Sequence, residues 1–224
     1  MVSVPIGDPD DITLRALRIL RSVSLIVAEN ARISRGLLTH HAIETEIVSL
    51  GPRHGVPALA TALTHLEAGR DVALIADSGT PTVVDPGLRL IQAAIRQDHR
   101  VTAAPGASAC LGALVLSGLP STPFHFLGVP PRNRAERSLF FTDLSAYPST
   151  AVLYESPRCL HATLVDLSNC LEETRKIVVA CDLTLANERI FRGTINGALT
   201  EFKETVFIGG YTLVISGRPS SDPF

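Results

Sequence analysis

Residues 72 to 87 read VALIADSGTPTVVDPG, and no other stretch constrains the fold of this chain as much. Five apolar residues, Val72 to Ala76, stop at Asp77. A turn of small and rigid residues follows, Ser78-Gly79-Thr80-Pro81, and Asp85-Pro86-Gly87 then opens a helix. The pattern describes a buried strand ending in an exposed loop. In open α/β proteins, small ligands bind beyond the carboxyl ends of such strands. Glycine lets backbone amides approach a ligand closely, and the Asp77 carboxylate can accept hydrogen bonds from it. A plain strand-turn-helix connection uses the same residue types, because Asp, Gly and Pro punctuate most turns.

The rest of the first half repeats this alternation. Strand-like runs lie at 2 to 5, 24 to 28, 42 to 49, 72 to 76 and 101 to 104. Between them lie helical segments: a stripe of Leu14, Leu17, Ile19 and Leu20, then 30 to 40, Pro57 to Ala68, 86 to 97 and 108 to 117. Strands alternating with helices of this length predict a largely parallel sheet. Leu119-Pro120-Ser121-Thr122-Pro123 breaks the rhythm. An N-terminal α/β domain is therefore expected over 1–119, a C-terminal α/β domain over 120–217 and a frayed tail over 218–224. The second half reads as helix 134 to 145, strand 151 to 154, helix 158 to 171, strands 177 to 181 and 189 to 193, helix 196 to 204 and strand 211 to 215.

Composition narrows the function classes. The chain is 46% hydrophobic and 19% charged, which favours a sizeable core over disorder. A net charge of −2 argues against a general nucleic-acid magnet, since neutralising phosphates needs clustered Lys and Arg. The best local basic cluster is Arg132, Arg134 and Arg137. Cys110, Cys159, Cys170 and Cys181 form no CxxC pair and read as buried thiols of a reducing cytoplasm. His40-His41 is the one adjacent histidine pair; nothing near it in sequence completes a metal ligand set, so it reads as a solvated helix end and no metal is expected. No signal peptide and no membrane span of about 18 to 20 apolar residues is read, so a soluble protein is expected.

Five predicted strand ends carry small or polar residues: Pro5-Ile6-Gly7-Asp8, Asp77-Ser78-Gly79, Gly106-Ala107-Ser108, Tyr154-Glu155-Ser156 and Asp182-Leu183-Thr184. If the strands are parallel, these turns can converge on one cleft between the halves, suited to a polar, partly cationic small molecule. Neither GxxxxGK[ST] nor GxGxxG is present, so an ordinary nucleotide cradle is not supported. Structural roles compete at the same positions. Ser108, Ser156 and Asp85 are good N-caps, Pro86 and Pro157 are ordinary first-turn prolines, and Glu29 and Asp11 suit helix N-termini. Phe124, Phe126, Phe140 and Phe141 read as core or interface rather than a base-stacking platform.

Six segments occur in an order that resembles the tetrapyrrole (corrin/porphyrin) methylase superfamily: VPIGDPDDITLRAL, ADSGTPTVVDPG, APGASA, GLPSTPFHFLG, LYESP and FRGT. The resemblance is nearest to its small-subunit rRNA methyltransferase I branch and runs from about Val2 to Gly217. It implies a two-domain α/β fold, S-adenosylmethionine in the cleft between the domains, a homodimer and a cytoplasmic location. It also implies cofactor contacts from Pro5, Asp77, Ser78, Gly79, Val83, Val84, Asp85, Ala107, Ser108, Leu153, Tyr154, Leu183 and Thr184.

The chemistry so implied is methyl transfer, in the nearest branch to a 2′-hydroxyl of ribose in small-subunit ribosomal RNA. A carboxylate able to take the hydroxyl proton is then wanted, and Asp77 and Glu155 are the candidates; both also suit cofactor binding or capping. Arg32, Arg132, Arg134, Arg137 and Arg158 are candidate RNA contacts. The sequence departs from the branch where substrate is handled. Glu29-Asn30-Ala31-Arg32 replaces EDTR, Ser49 to Gly55 replaces a histidine-rich stretch, and lysines are missing around Arg132 to Arg137. The C-terminal extension that many members carry is not seen after the second domain. Gly7-Asp8-Pro9 looks more like the corrin-precursor branch. A methyltransferase for a tetrapyrrole or another small molecule, and a non-catalytic relative, are the alternatives.

Overall fold

The computed structural model describes residues 1–51, 55–203 and 209–218. Pro52 to His54 of the altered 49–55 stretch, Glu204 at the end of the predicted last helix, and 219–224 of the tail lie outside the described residues. Packing divides the chain into two units, Met1–Ser108 and Ala109–Phe224.

In the first unit the elements are α1 (Leu14–Ser22), β1 (Leu25–Ala28), α2 (Ala31–His40), β2 (Ile47–Ser49), α3 (Gly55–Glu67), β3 (Val72–Ile75) and α4 (Leu88–Arg96). The strands lie in the order β2-β1-β3 and are all parallel, with Ile26 beside Ile47 and Ala73. All four residues of β1 are buried, as expected where helices cover both faces of a parallel sheet. On one face Ile26, Ala28, Ala73 and Ile75 pack with Ala16, Leu20 and Leu38; on the other Leu25, Val27 and Leu74 pack with Ala62 and Leu90.

Two predicted strands shrink to single rungs. Val2 bridges Ala104 in parallel and Val4 bridges Gly79 in antiparallel fashion. Pro5 ends the first run and Pro105 follows the second, and both lack the N–H that a further rung would use. The strand expected over 42–49 is confined to its last residues. Ala42 and Ile43 instead close α2, donating to Thr39 O and Leu38 O, with Ala42 at φ +51.

The second unit contains α5 (Ala109–Ser117), β4 (Phe124–Phe126), α6 (Arg134–Ser145), β5 (Thr150–Glu155), α7 (Leu160–Cys170), β6 (Lys176–Cys181), β7 (Arg189–Thr194), α8 (Ile195–Glu201) and β8 (Tyr211–Ile215). Its sheet runs β4-β5-β8-β6-β7. Unlike the sheet of the first unit, this one is mixed. Only β4 and β5 are parallel neighbours, because β8 inserts between β5 and β6 and runs against both. As a result β5 and β6 point the same way, and their carboxyl ends meet across Tyr211, which pairs with Glu155 and Cys181.

Helix α5 belongs with the second unit. Cys110, Ala113 and Leu114 of α5 are buried, and α5 packs on β5, β6, β7 and β8. Of the four cysteines, Cys110 and Cys181 are buried, but Cys170 is exposed at the end of α7. Phe141 is buried in the core, while Phe124 and Phe126 are partly exposed. No helix among the described residues is long and apolar enough to cross a membrane.

The largest side chain buried in this unit is charged. Arg175 is 1% exposed and donates to Ser216 O at 2.8 Å, Ser145 O at 3.2 Å and the Glu172 carboxylate at 2.8 Å. It ties the start of β6 to the ends of β8 and α6. Arg175→Met would fill the volume but leave two carbonyls without this donor. The expected loss is about 2–4 kcal/mol, measured as a shift of the urea midpoint.

Candidate functional site

The first unit brings together Pro5, Asp77, Ser78, Gly79 and Ala107. Val4 N donates to Gly79 O at 2.9 Å, and Gly79 N returns a bond to Pro5 O at 3.2 Å. Gly79 sits at φ +73, a left-handed conformation that glycine adopts without a Cβ penalty. Thr80, which no sequence signal marks as a site residue, locks the loop. Its hydroxyl lies 2.9 Å from Ser3 Oγ and reaches Ala107 O at 3.2 Å. Ser78 is left exposed on a cavity of about 320 Å³, whose walls include Pro5, Ile6, Gly7, Leu37, His40 and Asp77.

Asp77 leans back toward β1. Its Oδ1 accepts from Asn30 N at 3.0 Å and Ser34 Oγ at 3.4 Å, while its own N–H donates to Glu29 Oε2 at 3.4 Å. By sequence Glu29 suits a helix start. Helix α2 is in fact capped by the Asn30 side chain, and Glu29 faces the Asp77 loop. The signal that would have found it is the one that found Asp77: a carboxylate directly after an apolar strand. Burial raises the carboxyl pKa of both, against the hydrogen bonds that favour their charged forms. Burial, then the charges of Glu29 and Asp77, push Asp85 up to about 6.

Val83, Val84 and Asp85 lie on the loop that carries the chain from this site to α4. Thr82 and Val84 adopt φ of +72 and +76. For a β-branched residue this conformation is strained, and such strain concentrates at functional loops. Asp85 is not a helix cap, because Gly87 holds that position without a side-chain bond. It lines a second cavity of about 480 Å³, with Leu50, Val56, Leu59 and Leu88, rather than the one beside Asp77.

In the second unit Leu153 is wholly buried, and Tyr154 uses its hydroxyl to accept from Cys110 N at 3.0 Å. Glu155 is 6% exposed. It accepts from Ser156 N at 2.7 Å and from Thr163 Oγ1 at 2.5 Å. Its carboxylate is thus turned into the unit, where it organises the turn before α7. Arg137 joins the same network, donating to Asp166 at 2.6 Å, Thr163 at 2.7 Å and Pro131 O at 3.3 Å over the Phe141 ring. Arg32, Arg132, Arg134 and Arg158 are exposed. Leu183 is buried, and Thr184, at φ +69, is held by its N–H to Glu188. Just before them Asp182 is 5% exposed; its Oδ2 takes Asn187, but its Oδ1 has no hydrogen-bond partner among the described residues.

These features fit a small cationic ligand with hydrogen-bonding groups. In the first unit the strand ends offer carboxylates with raised pKa values beside an exposed Ser78; in the second unit, taken by itself, Asp182 Oδ1 lacks a donor among the described residues.

Comparison with known proteins follows the same line. The family model of the tetrapyrrole (corrin/porphyrin) methylases matches residues 1–198. The ribosomal RNA small subunit methyltransferase I of Micromonospora olivasterospora is 37% identical over 222 residues, spanning 99% of this chain and 71% of that protein. Its counterpart in Thermotoga maritima is 34% identical over 218 residues, 97% of each. The crystal structure of uroporphyrin-III C-methyltransferase from Thermus thermophilus, complexed with S-adenyl homocysteine, superposes with a TM-score of 0.64 at 18% identity. It covers 93% of this chain and 92% of that one, a likeness of fold.

The crowding of Glu29, Asp77 and Asp85 has a pH signature. Because the folded state raises the Asp85 pKa from 3.8 to about 6, it binds protons more readily than the unfolded state across that window. Asp85 therefore lowers stability as pH rises from about 4 to about 6. Asp85→Asn should remove this fall, leaving stability unchanged at pH 4 and raising it by about 1 kcal/mol at pH 7 after allowance for solvent screening. Urea unfolding of the ligand-free protein at the two pH values measures it.

Proposed function

The chain belongs to the tetrapyrrole (corrin/porphyrin) methylase family, among relatives named ribosomal RNA small subunit methyltransferase I, and on that footing we propose that it transfers a methyl group from S-adenosylmethionine to a ribose 2′-hydroxyl of small-subunit ribosomal RNA. The observation that carries this reading is similarity to a ribosomal methyltransferase over 97% of the chain, combined with a loop at Asp77–Thr80 that holds a carboxylate and an exposed Ser78 beside a cavity. A tetrapyrrole substrate is less well supported, since the relatives at 37% and 34% identity carry the ribosomal name. Action in the cytoplasm as a homodimer is part of the same proposal.

When bound, S-adenosylmethionine supplies an electrophilic methyl on a sulfonium cation. The residues proposed to hold it are Pro5, Ser78 and Gly79, with Ala107 and Ser108, and from the second unit Leu153, Tyr154, Leu183 and Thr184. Val83, Val84 and Asp85 complete the set. Methyl transfer needs a nucleophile placed in line at about 3 Å and water kept out. Asp77 is proposed as the proton acceptor. Its Oδ1 is fixed by Asn30 and Ser34, which leaves Oδ2 to take the hydroxyl proton, and its raised pKa makes it a stronger base. Glu155 is not assigned that step, because both its oxygens face donors within the second unit. Arg32, Arg132, Arg134 and Arg158 are proposed to meet RNA phosphates, whereas Arg137 is held by Asp166 and Thr163.

The test is transfer of labelled methyl from S-adenosylmethionine to unmodified small ribosomal subunits, followed by digestion and identification of the methylated nucleoside. A 2′-O-methylated nucleoside is expected; cofactor binding without transfer to subunits overturns the reading. Asp77→Asn should lower kcat by about 10²–10⁴-fold with cofactor Kd changed only a few-fold. A large loss of affinity would instead make Asp77 a cofactor ligand.

The Asp85 carboxyl, pushed up to about 6, also predicts how the cofactor is told from its product. The affinity ratio of S-adenosylmethionine to S-adenosylhomocysteine should rise between pH 5 and pH 7, as ionising groups favour the sulfonium over the neutral thioether. Calorimetric titration of both ligands across that range reads the ratio directly.

A further inference from the structure

The sequence offers His40-His41 without a third metal ligand, and the fold supplies one. Asp10 lies in the short 3₁₀ turn Pro9–Asp11, which is brought against the C-terminal end of α2. Its Oδ1 lies 3.3 Å from His40 Nε2. One ligand atom from each of Asp10, His40 and His41 lies within 4.8 Å of the other two, and among the described residues no other group of three or more His, Cys, Asp or Glu does this.

The proton arrangement suits a cation. His41 Nε2 lies 2.9 Å from Pro9 O. A carbonyl only accepts, so Nε2 carries the proton and the lone pair of His41 sits on Nδ1. Donation of the other ring N–H to a backbone carbonyl is how metal-bound imidazoles are held in orientation. Between His40 Nε2 and Asp10 Oδ1 a single proton now sits. An ion seated there takes the Nε2 lone pair once the ring proton moves to Nδ1, and it is neutralised by the Asp10 carboxylate. The carbonyl ends of α2 add negative potential at this point. Arg21 lies close, but its guanidinium is used on His41 O at 2.8 Å and steadies the helix end.

We propose that Asp10, His40 and His41 form a binding site for a borderline divalent transition-metal ion, Zn²⁺ being the probe, which clamps the Pro9–Asp11 turn to the end of α2. Two imidazoles and one carboxylate match the three-ligand sets of Zn²⁺, whereas Mg²⁺ and Ca²⁺ prefer all-oxygen shells. The side chains of His40 and Asp10 are 49% and 82% exposed, so an ion enters directly from solvent. Pro9 and His40 also wall the cavity beside Ser78. The ion would therefore stiffen two walls of that cavity without touching the residues assigned to methyl transfer.

The test is calorimetric titration of the full chain, free of any histidine tag and stripped of metal, with ZnCl₂ at neutral pH. One Zn²⁺ per chain is expected, undisturbed by millimolar Mg²⁺. Asp10→Asn and His40→Ala should each weaken it by at least about tenfold. Circular dichroism and the unfolding midpoint of both variants should stay unchanged, because the replaced side chains are exposed. Co²⁺ in place of Zn²⁺ should give visible bands of nitrogen and oxygen ligands. No binding up to about 100 µM Zn²⁺, a weaker site than such ligand sets form, overturns the proposal. So does binding that both variants keep, or a thiolate charge-transfer band, which would place the ion on a cysteine.

Discussion

The candidate site depends on a backbone zip between the start of the chain and the loop after β3. Val4 and Pro5 exchange two hydrogen bonds with Gly79, and Ser3 N donates to Ala104 O. None of these contacts is local in sequence, yet together they fix three loops with little help from large side chains. The Ser3–Thr80–Ala107 hydroxyl chain repeats the join with side-chain atoms. Gly79 supplies the turn with its left-handed φ of +73, which a side chain would strain. The loop is thus held by atoms every residue has, which leaves the side chains of Asp77 and Ser78 available for other work.

That placement has an electrostatic cost. Glu29 and Asp77 follow neighbouring parallel strands, and Asp85 returns to within reach of both. Three carboxylates sharing a partly buried region repel one another, and no Lys or Arg bonds to any of them among the described residues. A core built only for stability would not keep such an arrangement, whereas one that receives a cation gains from it. The second unit treats its charges differently. Glu155 and Arg137 meet through Thr163, and Arg175 bonds to Glu172 and two carbonyls, so these groups are spent on the fold itself.

Much of this was legible in the sequence. The apolar runs that became β1, β3, β5, β6 and β8 stood out because strands covered on both faces need no polar alternation. The loop at Asp77 announced itself through glycine, proline and an abrupt change of polarity. What escaped was set by non-local pairing. Nothing in residues 211 to 215 says that they insert between β5 and β6, and that insertion is what makes the sheet mixed. Helix α5 follows the first unit in sequence but packs on the second unit's strands, which hydropathy alone does not reveal. Arg137 looked like a phosphate contact because its partners, Asp166 and Thr163, lie nearly thirty residues away. Asp10 escaped as a neighbour of His40 for the same reason.

The central position of β8 also bears on synthesis. The strands of the first unit are contiguous in the chain and complete by Ile75, so its sheet can assemble while the remainder is still being translated. The second unit has no such freedom. Until Tyr211–Ile215 leaves the ribosome, β5 and β6 have no strand between them and each presents an unpaired edge. The nascent protein must carry those two open edges through the making of some thirty further residues, from Cys181 to Tyr211. During that interval its second half is at its most exposed to mispairing with another chain.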